Sequence, residues 1–249
     1  GLQYLIEFAR QLGVGSKLEP VLSFPLGANV VTLLETVRIY EGLVTGAVST
    51  YGYENEEDQD VLAVLDRIES AGGELLYRPH RRVMKAVDPR TSLALGHILE
   101  NVVKYGTGKQ ADKEVRVGGE PQGGGDAGRP IPLLGKTGTA NRYTNASFFG
   151  YLPGLSKTGA ALTLQDGYAV GVYVGYDDNR AMRRSSTRIT GAAGALPAWI
   201  DIVNMLIREK GYADRFNGAN PPAAGIPLVR DNLGQFNFSA DAERGGVAA

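Results

Sequence analysis

The 249-residue sequence contains no cysteine and only two histidines. The absence of cysteine excludes disulfide bonds, thiolate catalysis and cysteine-ligated metals. His80 and His97 are too few, and too far apart in the sequence, to indicate a metal site, so they are interpreted as ordinary surface or core residues. We therefore expect neither a metal nor another cofactor.

The sequence also lacks an excess of either charge and any long apolar run. A net charge of -1 gives no reason to expect a nucleic acid or an anionic membrane as partner. No run approaches the roughly 20 apolar residues that span a bilayer, and the first residues lack the order of a signal peptide. Instead, one helical face collects Leu2, Leu5, Ile6, Ala9 and Leu12. We expect the chain to begin inside a fold.

Helix-capping residues mark two helices in the first half of the sequence. Thr32 and Glu35 have the spacing of a capping box, which predicts a helix from about 32 to 45. Asp88 is a suitable N-cap before a proline, and the apolar stripe that follows predicts a helix from about 89 to 105. Both predicted helices are followed by glycine.

The second half of the sequence favours strands and a last helix. Short apolar, aromatic and β-branched runs separated by turn residues predict consecutive antiparallel strands at "IPLLGKTGTA", "SFFGYLPG" and "YAVGVYVGYDD". The stretch "ALPAWIDIVNMLIREKG" carries a helical apolar stripe. Beyond Gly211 the composition indicates no fold. The prediction is an α+β domain with an antiparallel sheet of at least three strands packed against several helices.

Five other stretches are interpreted as connections. The acidic "YENEEDQD" lacks the glycine and the spacing of a calcium loop, so a solvated loop or helix start is favoured. "SAGGE" predicts a turn between two short extended pieces, and "LSKTGAALTLQDG" a hairpin extension. "RPHRRVMK" could contact an anionic polymer, but a solvated basic loop is favoured. The glycine-rich "GGEPQGGGDAGRP" is a loop that leads into the next motif.

The tripeptide Lys136–Gly138 is compatible with two mechanisms. A phosphate-binding P-loop needs a glycine at the position of Pro130, which has no N–H to offer, and the residues after Lys136 do not open a helix. Serine acyl-transferases of the penicillin-interacting type instead combine Ser-x-x-Lys, Ser-x-Asn and Lys-Thr-Gly, the last on a strand. The tripeptide alone is a weak signal. It occurs again at 157–159, where it is interpreted as part of a turn.

The acyl-transferase mechanism explains each residue of the motif. The ammonium group of Lys136 favours an anionic substrate and assists proton transfer, while the hydroxyls of Thr137 and Thr139 can hold a terminal carboxylate. Gly138 removes a side chain that would obstruct a substrate lying alongside the strand. The sequence contains no Gly-x-Ser-x-Gly elbow, which argues against an α/β-hydrolase.

A longer stretch resembles one particular family. "LLGKTGTAN" followed by "SFFGYLPG" and "YAVGVYVGYDD" is similar to the motif strand and the next two strands of class A penicillin-binding proteins, the bifunctional peptidoglycan synthases. Flanking pieces agree in order: "PLGANVVTLLETVRIYEGLVTGA", "VLDRIESAGGELLY", "ALGHILENVVKYGTGKQA" and "ITGAAGALPAWIDIV". The resemblance covers about residues 1–210. It implies the C-terminal portion of a transpeptidase domain with a serine β-lactamase-like fold, followed by a tail over 211–249 of unknown structure.

The resemblance also implies roles for individual residues. Lys136 would be the motif lysine, and Thr137, Gly138 and Thr139 would bind the substrate, with the two threonines on its carboxylate. The backbone N–H of Thr139 would form half of the oxyanion hole, which makes Lys136 and Thr139 the implied catalytic residues. The implied ligands are the peptidoglycan stem peptide and β-lactams.

Two of the three family signatures are missing. No serine is followed by lysine three positions later, and there is no Ser-x-Asn. In the family both lie upstream, together with the first strands of the sheet, a glycosyltransferase domain and an N-terminal membrane anchor that places the active site outside the cytoplasm. We therefore expect this chain to be the C-terminal part of a longer protein whose upstream segment supplies the catalytic serine. A noncatalytic binding or scaffolding module of the cell envelope is the alternative.

That interpretation has two physical consequences. A serine acyl-enzyme cannot form without the serine, so this chain alone is expected to bind β-lactams poorly and to have no turnover. Missing upstream strands would leave one sheet edge unpaired, and such an edge invites pairing or aggregation. We expect the chain to need the upstream half for stability.

Overall fold

The structure is a computed structural model. It describes residues 1–52, 62–118, 128–157, 161–216 and 226–229, and the backbone of 240–241 and 246–247. The acidic stretch at 53–60 and most of the glycine-rich loop, at 119–127, lie outside the described residues.

Helices and strands occur in separate runs along the described part of the chain. The α-helices are Leu2–Gln11 (α1), Leu33–Thr45 (α2), Pro89–Tyr105 (α3), Lys109–Glu114 (α4), Leu196–Glu209 (α5) and Tyr212–Phe216 (α6). The strands are Ala47–Gly52 (β1), Ile68–Glu69 (β2), Leu75–Tyr77 (β3), His80–Lys85 (β4), Arg116–Val117 (β5), Arg129–Pro130 (β6), Leu134–Thr139 (β7), Asn145–Leu155 (β8), Leu162–Gly175 (β9), Arg183–Arg184 (β10), Thr187–Arg188 (β11), Leu228–Val229 (β12), Ala240–Asp241 (β13) and Gly246–Val247 (β14). The order and mixture of elements confirm the α+β class.

The central sheet has the strand order β12-β9-β8-β7. The strands β7, β8 and β9 are consecutive and antiparallel, which confirms the three strands predicted from the sequence, while β12 adds two parallel pairs to β9. The β8–β9 hairpin continues past an irregularity between Leu152 and Gly154, so that Gly154 lies opposite Thr163. This is the hairpin extension that the sequence predicted.

Helices cover both faces of this sheet. On one face, Trp199 of α5 is fully buried, contacts the Phe148 ring edge-on at 4.9 Å, and donates from its indole N–H to the Val170 carbonyl oxygen at 3.1 Å. On the other face, α2 and α3 close a smaller cluster around Tyr151, whose hydroxyl donates to the Leu164 carbonyl oxygen at 2.6 Å. The sheet is thus the middle layer of a helix–sheet–helix sandwich.

The α2 helix begins with the capping box that the sequence predicted. The Thr32 hydroxyl accepts from the Glu35 N–H at 3.1 Å, and the Glu35 carboxylate accepts from the Thr32 N–H at 2.7 Å. The same carboxylate also accepts from the N–H groups of Gly15 and Ser16 and from the Ser16 hydroxyl, at 2.6–2.7 Å. Burial alone would raise the pKa of Glu35, but these bonds to the ionised form outweigh it and lower the pKa to about 2.

The predicted helix boundaries hold for α2 and α3, and the last helix differs. Gly191–Ala195 form a π-helical turn before α5, and α5 ends at Glu209 instead of 211. The Thr190 hydroxyl caps this turn by accepting from the Ala193 N–H at 3.2 Å. The turn adopts this geometry because Gly191 lies against the backbone of β7 and β8, a tertiary contact that no local pattern encodes.

One predicted loop is a strand. The basic stretch "RPHRRVMK", interpreted as a solvated loop, contains β4, which pairs along its whole length with β1. All six residues of β4 are exposed, so the strand lacks the apolar alternation by which strands are recognised. The turn at "SAGGE" is confirmed, since it joins the β2–β3 hairpin.

The sequence alone assigns no structure to residues 211–249, but parts of this tail belong to the core. Tyr212 and Phe216 of α6 are buried, and the Tyr212 hydroxyl donates to the Pro153 carbonyl oxygen at 2.7 Å. Ile226 is also buried, next to β12.

No helix in the described residues is long and apolar enough to cross a membrane. The same residues hold no cluster of three potential His, Cys, Asp or Glu metal ligands.

Candidate active site

The Lys-Thr-Gly motif lies on β7, which forms one edge of the central sheet within the residues that the structure describes. Just beyond the strand, the Ala140 N–H donates to the Asn145 carbonyl oxygen at 3.0 Å. Backbone groups alternate in direction along an antiparallel strand, so Gly138 and Lys136 also bond towards β8. The N–H and C=O groups of Thr137 and Thr139 therefore point to the open edge, where an extended ligand can pair with them.

Lys136 leaves β7 on the face covered by α2. Its partner in the strand register is Phe149, whose ring stacks on Tyr40 of α2 at 5.5 Å. The Lys136 side chain is exposed, and its ammonium group donates to the Thr137 carbonyl oxygen at 3.0 Å. Among the described residues no carboxylate forms an ion pair with it, so its charge is available to an anionic ligand.

Thr137 is held by a residue that the sequence reasoning missed. Its hydroxyl lies 2.6 Å from the hydroxyl of Thr107, in the turn between α3 and α4. One hydroxyl donates and the other accepts, so the accepting group keeps its own hydrogen for a ligand. Thr107 lies in the quoted segment "YGTGKQA", where a hydroxyl residue between two glycines just after a helix was the available signal.

Thr139 is oriented from the opposite direction. Its hydroxyl oxygen accepts from the Gly191 N–H at 2.9 Å, at the start of the π-helical turn. Because that oxygen already accepts, its hydrogen is directed elsewhere and can donate to an anion. A Cβ at residue 191 would lie 2.5 Å from the Gly138 carbonyl oxygen and 2.6 Å from that of Ser147. Only glycine allows this approach.

Gly138 is required by the neighbouring strand as well. Its register partner on β8 is Ser147, and a Cβ at residue 138 would collide with the Ser147 hydroxyl oxygen. The sequence reasoning assigned this glycine to the passage of a substrate, which stays a prediction.

The second Lys-Thr-Gly has a different setting. Lys157 follows the end of β8 and lies 3.8 Å from the Asp166 carboxylate, at the far end of the β8–β9 hairpin from Thr139. Residues 158–160 lie outside the described part of the chain.

A separate cleft of about 760 Å³ is lined by residues from 174–176 and 180–189, with Gly194, and does not include Lys136.

Known proteins resemble this chain in sequence and in fold. No protein-family profile matches the chain. The chain is 26% identical over 216 residues to penicillin-binding protein 1A of Neisseria gonorrhoeae, a match that covers 84% of this chain and 22% of that protein. It is 25% identical over 218 residues to penicillin-binding protein 1A of Rickettsia conorii, covering 24% of that protein. The chain thus spans about a quarter or less of the length of these relatives.

The fold is also found in a solved structure. Penicillin-binding protein 1A from Haemophilus influenzae matches with a TM-score of 0.58 at 18% identity, over 84% of this chain and 31% of that one. At this identity the match concerns the fold alone. Sequence and fold point to the same resemblance: the chain is similar to penicillin-binding proteins, as a fragment of their transpeptidase domain.

Proposed function

We propose that the chain contributes the Lys-Thr-Gly wall of a peptidoglycan D,D-transpeptidase that cross-links the cell wall and is a target of β-lactams. The observation that carries this proposal is the open edge of β7, to which Thr137 and Thr139 turn their backbone groups. A stem peptide ending in D-Ala-D-Ala can add to that edge as an extended strand. The hydroxyls of both threonines and the ammonium group of Lys136 suit its terminal carboxylate.

In the proposed reaction a serine hydroxyl from an upstream segment attacks the carbonyl carbon of the penultimate D-Ala. The bond to the terminal D-Ala breaks, and that residue leaves with a proton as its free amine. The outward N–H of Thr139 stabilises the negative charge on the carbonyl oxygen of the tetrahedral intermediate. An amine of a neighbouring stem peptide then attacks the acyl ester and releases the serine.

The position of the nucleophile follows from what this chain lacks. Residues 1–210 are proposed to be the C-terminal portion of the transpeptidase domain, and Ser-x-x-Lys and Ser-x-Asn are proposed to lie upstream. Their absence from the sequence supports this division, since neither the nucleophile nor its lysine can come from within. The strand β9 supports it too. Within the described residues β12 pairs with Leu162 and Thr163 alone, which leaves the rest of the outer edge of β9 for strands supplied from upstream.

We also propose a location for the whole protein. The substrate is part of the cell wall, so we propose an extracytoplasmic site on the periplasmic side of the cytoplasmic membrane. The membrane anchor would then belong to the upstream part of the protein.

One observation favours a second candidate, a noncatalytic binding or scaffolding module of the cell envelope. The chain keeps the ligand-facing edge of β7 but contains no serine in either family signature. If the upstream segment also lacks that serine, β7 would bind stem peptides without acyl transfer.

The test is covalent labelling by a penicillin, read by intact mass. The chain alone is expected to give no adduct, and the chain extended by its natural upstream sequence is expected to gain one penicillin per molecule. In the extended protein, Lys136→Ala should slow labelling at least about tenfold, since a charged hydrogen-bond partner is lost. Lys157→Ala, in the second Lys-Thr-Gly, is the matched control and should label at the wild-type rate. Failure of a folded extended protein to label would favour the noncatalytic module.

A further inference from the structure

A cleft outside the Lys-Thr-Gly site carries an unusual set of charges. Its walls are the end of β9 and the hairpin formed by β10 and β11, and the buried Met182 is among the lining residues. At about 760 Å³ it has the size of a small-molecule site. Residues 176–189 hold four arginines against two aspartates, so the hairpin is positively charged in a chain that is nearly neutral overall.

The hairpin places like charges side by side. Arg183 of β10 is the direct register partner of Arg188 of β11, and Arg184 is the partner of Thr187. Opposed like charges on paired strands destabilise the pair. Among the described residues, neither the Arg183 nor the Arg184 guanidinium group has a hydrogen bond or an acidic partner. An anion bound beside Arg183 would reduce the repulsion between Arg183 and Arg188.

The other two arginines of residues 176–189 are engaged. Arg180 stacks over the Tyr176 ring at 3.9 Å and lies 3.8 Å from the Asp178 carboxylate. Arg188 lies over the Tyr143 ring at 5.7 Å. The free guanidinium groups are therefore those of Arg183 and Arg184, and both residues line the cleft.

The hairpin is anchored, so that its arginines keep their place. The Met182 N–H donates to the Tyr143 carbonyl oxygen at 2.7 Å, and the Ile189 N–H closes the hairpin on the Met182 carbonyl oxygen at 3.0 Å. Tyr143 and its neighbour Arg142 both have φ near +60°, a strained conformation for residues other than glycine. An ordered hairpin holds two guanidinium groups with less entropy loss on binding than a mobile one.

We propose that this cleft binds an oxyanion ligand, carboxylate or phosphate, through Arg183 and Arg184. The planar guanidinium group binds either anion in a bidentate manner. The carboxylates would come from a peptide, and the phosphates from an anionic polymer. The site is separate from the proposed acyl-transfer site and does not depend on it.

The test is an amide chemical-shift titration of the 15N-labelled full chain at low salt, with inorganic phosphate and glutarate as separate probes. Saturable shifts are expected at 174–176 and 182–189. Arg183→Ala/Arg184→Ala should weaken binding of the better probe roughly tenfold or more. Lys109→Ala/Lys113→Ala, which removes two exposed charges from α4, is the matched control and should stay within about twofold.

Further arms separate guanidinium recognition from simple charge, and one anion source from the other. Arg183→Lys/Arg184→Lys keeps the charge and should still bind several-fold more weakly than the wild type. Tighter binding of phosphate would indicate a polymer, and tighter binding of glutarate a peptide. The proposal is wrong if neither probe gives saturable shifts at the cleft, if both alanine double variants weaken binding equally, or if the lysine variant binds as tightly as the wild type.

Discussion

The contact between the π-helical turn and the motif strand yields a sharp prediction for Gly191→Ala. The added Cβ would lie 2.5 Å from the Gly138 carbonyl oxygen, 2.6 Å from the Ser147 carbonyl oxygen and 3.0 Å from the Gly138 nitrogen. These are all backbone atoms of paired strands, so they cannot rotate away as a side chain would. The turn must move instead, and the 2.9 Å bond from the Gly191 N–H to the Thr139 hydroxyl then breaks.

The cost can be worked out from these two effects. Overpacking against a rigid backbone costs about 1–3 kcal/mol, and the lost hydrogen bond about 1 kcal/mol. Together they lower the free energy of unfolding by about 3 kcal/mol. In a protein of this size that corresponds to a fall in Tm of roughly 6–12 °C.

The assay is thermal and urea unfolding followed by the fluorescence of Trp199, which is the only tryptophan and is fully buried. Gly72→Ala is the matched control, because its Cβ would meet only the Ser70 hydroxyl oxygen at 3.7 Å, an ordinary contact. That variant should change stability by no more than about 1 kcal/mol. If Gly191→Ala has the same Tm and the same free energy of unfolding as Gly72→Ala, the turn is not held against β7. The Gly191 N–H then does not orient the Thr139 hydroxyl as described.

Three further predictions follow from other contacts. Glu35→Gln should cost about 1 kcal/mol at neutral pH, as for a lost helix cap. Because the pKa of Glu35 is lowered to about 2, its contribution to the free energy of unfolding is complete above about pH 4.5 and fades as the pH falls towards 2. Urea titrations at several pH values should therefore show the stability difference between wild type and Glu35→Gln vanishing near pH 2. A difference that stays constant with pH would contradict the capping role. Tyr212→Phe leaves the buried Pro153 carbonyl without its donor and should lower the free energy of unfolding, measured in urea, by about 1–2 kcal/mol. Unchanged stability would contradict the packing of α6 in the core. Thr107→Val should slow penicillin labelling of the extended protein severalfold while leaving Tm nearly unchanged, because the lost bond is exposed and holds only Thr137; unchanged labelling would remove Thr107 from the site.

Local signals account for the elements that could be predicted from the sequence. A capping box within one turn marks the start of α2, and Asp88 and Pro89 mark the start of α3. The three sheet strands follow one another with short turns, so their pairing is also local. In each case the interactions that define the element lie close together in sequence.

Elements that depend on distant partners could not be predicted in this way. The strand β4 pairs with β1 across 28 to 38 positions of sequence and exposes every side chain, so no pattern marks it. Similarly, α6 enters the core because Tyr212 finds the Pro153 carbonyl group 59 positions away.

The same distinction between local and distant contacts applies to the candidate site. Its motif residues on β7 were recognisable, because all four, Lys136–Thr139, are consecutive and their chemistry is distinctive. Thr107 and Gly191 were not, since they reach Thr137 and Thr139 from 30 and 52 positions away. Both act on the motif through single hydrogen bonds that only the fold creates.

The central claim is that β7 forms one wall of an acyl-transfer site whose serine lies upstream. Intact-mass detection of a penicillin adduct, on the chain alone and on the chain extended by its natural upstream sequence, tests it most directly. An adduct is expected in the extended protein only, with labelling slowed by Lys136→Ala and not by Lys157→Ala. An adduct on the chain alone, or none on a folded extended protein, would contradict it.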